Sequence, residues 1–159
     1  MKFTTKKIAI SGMVMALYVV VMYFTQTFAF EAIQVRLATS IYSLGAMFPF
    51  LIIPLGLANA LSNLLFGGLG TLDIVGGFII GIMTAGGCYL VKKLKLNDWL
   101  TALPIVLIPG LCAPIWLSYL LSIPYLALAG NLLIGQSICG ILGVILYKVL
   151  MKYRGQLHV

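Results

Sequence analysis

Between Glu31 and Asp73 the sequence reads EAIQVRLATSIYSLGAMFPFLIIPLGLANALSNLLFGGLGTLD. This mostly apolar stretch carries Glu31, Gln34 and Arg36 at its start, two amides four residues apart at Asn59 and Asn63, and a second carboxylate at Asp73. Residues at i and i+4 share a helix face, so the two asparagines can act on one partner. An amide offers a donor beside an acceptor, and a carboxylate accepts two parallel N–H bonds. Such groups can hold the hydrogen-bonding edge of a planar heterocycle. A charged side chain at the centre of a bilayer costs roughly 2.5–3.5 kcal/mol on insertion scales, so these residues should face a cavity or one another. The stretch therefore reads as one wall of a solute site, with Arg36 pairing with Asp73 or Glu31 so that no charge is stranded.

Other groups can join that wall. Asn131 falls at a similar depth in a later apolar run, and Trp116 can stack on a ring. Trp116, Tyr119 and Tyr125 also suit an interfacial aromatic belt, which is the better reading of the two tyrosines. Asp73 has a plain structural reading as well, as an acid complementing the dipole at the start of its helix. Catalytic chemistry finds little support. The single histidine, His158, lies in the terminal tail, no two acids have the spacing of a catalytic pair, and there is no GxxxxGK[ST] phosphate loop. Cys88, Cys112 and Cys139 sit singly in apolar runs, without metal or disulfide spacing. No cofactor and no metal is expected in this chain, and any nucleotide-driven step must come from a partner.

Composition sets the elements that must position these groups. Of 159 residues 62% are hydrophobic and 8% charged, and the mean hydropathy is +1.15. Those values lie far outside soluble globular domains and describe an all-α integral membrane protein. At about 20 residues per span the length allows roughly five or six helices and no soluble domain. The net charge of +7 does not indicate nucleic acid, because the lysines cluster at the start (Lys2, Lys6, Lys7), in one loop (Lys92, Lys93, Lys95) and at the end (Lys148, Lys152, with Arg154). These read as cytoplasmic flanks. The first apolar run, Ile8 to Phe30, is long and lacks a small-x-small cleavage site, so it reads as a retained helix rather than a signal peptide.

Six transmembrane helices in one membrane domain follow, at about 6–28, 38–50, 54–66, 72–91, 99–121 and 124–147. The run from Leu37 to Phe66 is too long for one span and contains Pro49 and Pro54. Counting it as two helices keeps the lysine loop and both termini on the inner side. GGLG at 67–70 makes an outer turn, and Pro104, Pro109 and Pro114 break up the fifth helix. On the first helix Ala9, Gly12 and Ala16 form a stripe of small residues, with Gly12 and Ala16 as a small-xxx-small pair. Such a pair admits a close helix neighbour, either within this chain or outside it. NLLFG at 63–67 and NLLIG at 131–135 match too briefly to indicate a repeat.

AFEAIQVRLATSIYSL followed by NLLFGGLGTLDIVGG resembles the QueT family of queuosine-precursor transporters, the substrate-binding S components of energy-coupling-factor (ECF) importers. Gln34-Val35-Arg36-Leu37 and the segment from Asn63 to Gly77 carry most of that resemblance, which covers most of the chain. It implies a six-helix S-component bundle in a bacterial plasma membrane that binds a deazaguanine base such as queuine or its precursors. It also implies a transmembrane coupling protein (EcfT) and two ECF ATPase subunits as partners, with toppling of the S component releasing solute inward. Ala9, Gly12 and Ala16 then resemble the face that meets the coupling protein. Arg36, Asn59, Asn63, Asp73, Asn131 and Trp116 would build the pocket, and Glu31 and Gln34 would lie on the loop covering it. One departure stands out: where the family has Ser-Glu-Ala-Leu, this chain has Ala38-Thr39-Ser40-Ile41. With Thr39 in place of an acid, a neutral or bulkier base is favoured over a cationic aminomethyl one. An S component for another vitamin or nucleobase, or a ligand-free structural or regulatory subunit, are the competing readings.

Overall fold

A computed structural model describes residues 4–29, 35–67 and 69–153, and among these it contains helices and no strand. Six helical segments follow in order. α1 is Thr5–Ala29, α2 is Leu37–Met47, α3 is Pro49–Gly67, α4 is Thr71–Lys93, α5 is Asp98–Leu121 and α6 is Tyr125–Lys152. All but α2 are long and apolar enough to cross a membrane. α2 begins as a 3-10 turn and spans roughly 20 Å by its rise per residue, short of a hydrocarbon core of about 30 Å.

Local sequence explains the breaks. Phe48 precedes Pro49, and a residue before proline is pushed out of the α region; Phe48 accordingly has φ −129° and ψ 86°, which separates α2 from α3. Pro54 falls in the first turn of the α-helical part of α3, where its missing N–H has no helical acceptor to leave empty. Gly70, with φ +86°, ends the turn before α4 in a conformation that favours glycine. Asn97 caps α5 by accepting the Trp99 N–H at 3.0 Å. Ser122 closes α5 in the left-handed region, and Pro124 then sets the start of α6.

Packing is closest where side chains are smallest. A methyl group on Gly81 would lie 2.7 Å from the Gly56 Cα, so α3 and α4 touch backbone to backbone. On this contact rests the wall that carries Asn59 and Asn63 beside α4. Gly81→Val should therefore lower the melting temperature of the purified chain in detergent, by the equivalent of about 1–3 kcal/mol for overpacking; an unchanged melting temperature would show that the two helices can separate freely.

α1 is the peripheral member. Only 17% of its most apolar window is buried, against 39–50% for the other spans. It meets the bundle along one stripe, Ser11, Tyr18 and Met22, and the Tyr18 hydroxyl lies 2.9 Å from that of Tyr42 on α2. Ala9, Gly12 and Ala16 lie off this stripe and are exposed. The small residues are therefore not used for packing within the chain.

Candidate solute-binding site

The polar residues converge in one place. Arg36, Asn59, Asn63, Asp73 and Trp116 line a single cavity between α2, α3, α4, α5 and α6. The grooves on the outside of the bundle are apolar by contrast, such as the one between α4 and α5 at Leu90, Leu94, Leu103 and Leu107. Buried amides and charges are costly without partners, so their gathering around one space is the strongest sign of a site.

The wall is tied together by side-chain hydrogen bonds. Arg36 donates through Nη2 to Asn63 Oδ1, and Asn63 Nδ2 donates to the Asp73 backbone carbonyl at 2.8 Å. Arg36 is thus linked to Asp73 through an amide. One turn earlier on α3, Asn59 donates to the Gly77 carbonyl at 2.7 Å. A carbonyl can only accept, so both asparagines are held with their N–H groups toward α4. Gly77 makes this approach possible: a methyl group there would fall 2.5 Å from Asn63 Nδ2. Asn59 Oδ1 is left buried and, among the described residues, has no donor.

Asp73 is 5% exposed in the first turn of α4, where the helix dipole favours a carboxylate. Its Oδ1 accepts the indole N–H of Trp116 at 3.2 Å, which orients the carboxylate and stabilises its charge. The indole lies over Gly76, where a methyl group would meet the ring at 2.5 Å. Trp116 also borders an apolar groove on its outer side, formed by Leu72, Val75, Ile79 and Met83. The space left at the centre of the cavity is about 20 Å³, room for roughly one water.

Two residues outside the expected set belong here. Thr39 and Gln136 line the same cavity and are 2% and 0% exposed. They are linked across it, with Thr39 Oγ1 at 2.8 Å from Gln136 Oε1. A threonine in an apolar run and a lone glutamine near mid-helix have no spacing that announces a site; for Thr39 the available signal was its place where the resembled family has an acid. Asn131 does not line the cavity. Five residues before Gln136 at about 100° per residue, it lies some 140° around α6, half-buried and off the Leu132/Gln136 face. Glu31 and Gln34 lie outside the described residues. Tyr119 is 80% exposed, as a belt residue should be, whereas Tyr125 donates to the Leu111 carbonyl at 3.0 Å and ties α6 to α5.

A search of curated proteins and a search of solved structures found no significant match. The model of the QueT transporter family matches residues 8–152, spanning all six helices and the whole cavity. The match extends well beyond the two segments that carry the resemblance in sequence, and an all-α membrane bundle with a buried polar cavity is consistent with a small-molecule transporter. The chain belongs to the QueT transporter family.

Proposed function

We propose that this chain is the substrate-binding S component of an ECF-type importer and that its solute is a deazaguanine base, queuine or a queuosine precursor. The observation that supports this most directly is the hydrogen-bonding complement of the cavity. Asp73 supplies a carboxylate acceptor, Asn59 a buried acceptor with no donor among the described residues, and Arg36 a cation. A guanine-like edge carries two adjacent N–H donors beside a carbonyl, which suits a carboxylate next to a donor.

The cavity has to widen to admit such a ring, and Trp116 is the wall best placed to move. Swinging the indole toward the groove at Ile79 and Met83 frees the Asp73 carboxylate for the solute and leaves the ring face available for stacking. Thr39 places no carboxylate beside the ring, which favours a neutral substituent over an aminomethyl cation. ATP hydrolysis falls to partner ATPases, and the exposed stripe at Ala9, Gly12 and Ala16 is the surface for the coupling protein. Both termini and the lysine loop face the cytoplasm in this reading.

Thermal melting of the detergent-purified chain with queuine, the two prequeuosine bases, guanine and riboflavin tests the assignment. A ligand at a hundred times its dissociation constant stabilises by about 2.7 kcal/mol, which melting resolves. Selective stabilisation by one deazaguanine is expected. Stabilisation by riboflavin or by no base at all would remove the queuosine assignment.

A further inference from the structure

Gln136 differs from the other amides of the cavity in what holds it. Asn59 and Asn63 each donate to a backbone carbonyl, so the orientation of each is fixed. Gln136 is held by a hydroxyl, which both donates and accepts. The Thr39 hydroxyl also lies 2.7 Å from the Arg36 carbonyl, and it has one proton for two acceptors. When that proton goes to Gln136, Oε1 is engaged and Nε2 is the end of the amide left for a solute. When it goes to the Arg36 carbonyl, the amide can rotate by 180°, donate to the hydroxyl and present Oε1 instead.

Gln136 is fully buried, and Nε2 has no partner among the described residues. An amide proton left unbonded in an apolar helix bundle is costly, and a methionine of similar length would avoid that cost. Leu132 one turn away lines the same cavity, so the amide lies on the inward face of α6. α6 packs against α5 and the turn at Leu37–Ser43 rather than lying along α4, so Gln136 approaches a solute from a different side than Asp73.

We infer that Gln136, switched by the Thr39 hydroxyl, is a specificity-determining residue that reads a second edge of the solute, accepting from an N–H or donating to a ring lone pair. The inference rests on the reading of the cavity as a site for a planar heterocycle. It makes Thr39 a positioning residue: the hydroxyl can donate to the amide or accept from it, and so sets which end of Gln136 is offered to the solute.

Three full-length variants test it, Gln136→Met, Gln136→Glu and Thr39→Val, by melting without ligand and by equilibrium dialysis with queuine, the two prequeuosine bases and guanine. Gln136→Met should melt above the wild type without ligand and bind each base at least about tenfold more weakly. Gln136→Glu, which only accepts when ionised, should change the rank order of the four bases, and Thr39→Val should weaken all of them. Wild-type affinities and rank order in folded Gln136→Met would overturn the inference. So would a lower melting temperature of that variant without ligand, because the amide would then be a structural tie. If the wild type binds none of the bases, the queuosine reading fails; the ligand-free melting comparison still decides whether the amide is kept at a cost to stability.

Discussion

Replacing Asp73 by asparagine is expected to weaken binding of a deazaguanine base at least about tenfold in a chain that still folds. Asparagine keeps the shape of the side chain and an oxygen that can accept the Trp116 indole N–H, so the link to α5 survives. It also keeps the backbone carbonyl that accepts from Asn63. What disappears is the negative charge and the second acceptor oxygen. A hydrogen bond to a charged group contributes about 1.5–3 kcal/mol, against about 1 for a neutral one, and 1.4 kcal/mol is a factor of ten in affinity. The reading of Asp73 as a helix-dipole partner alone gives the opposite result. On that reading the variant loses a few tenths to about 1 kcal/mol of stability and no affinity. Dialysis against queuine and the prequeuosine bases, with a melting curve to confirm folding, separates the two. An unchanged dissociation constant would remove Asp73 from the list of residues that touch solute.

The contrast between Asp73 and Gln136 shows what a membrane sequence reveals of a buried polar cavity. Six helical segments were legible because hydrocarbon imposes long apolar runs and lysines mark their flanks. The wall from Arg36 to Asp73 was legible because charges and paired amides are expensive in lipid, and Asn59 and Asn63 recur at one helical turn. A lone amide such as Gln136 has no such signature. It enters the cavity because α6 turns that face toward α2, and Thr39 meets it from 97 positions away. Asn131, the same residue type as Asn59 and Asn63, does not line the cavity for the same reason, since about 140° of helix rotation separates it from Gln136. Depth along a span can be counted from a sequence, whereas the direction a side chain faces depends on neighbours that no local pattern names. The roles of Gly76 and Gly77 were hidden in the same way: each glycine is needed because of one side chain, Trp116 or Asn63, arriving from another helix.

Gly12→Leu is expected to abolish uptake while leaving solute binding intact, and the geometry makes this a clean experiment. A methyl group at Gly12 would meet nothing from the rest of the bundle within 4 Å, and the position is exposed, so a larger side chain has room to extend away from the isolated chain. Gly12, Met15 and Ala16 instead border a shallow groove with Val19, Val20 and, from α3, Leu61, open to the outside of the bundle. Without a hydrophobic drive between helices in lipid, association depends on close approach at small residues, and a leucine in place of a glycine holds two backbones apart. Loss of well-packed contact across even part of such an interface costs about 1–3 kcal/mol, a weakening of at least about fivefold in assembly and, where coupling requires the complex, a failure of transport. Co-purification with the coupling protein and ATPases, solute uptake by cells and dialysis on the purified variant together decide the matter. Lost uptake with retained binding and lost co-purification identifies α1 as the coupling face. Normal uptake would place the coupling protein on another surface. Lost co-purification from a chain whose cavity variants, Asp73→Asn included, leave uptake untouched would favour a ligand-free assembly subunit.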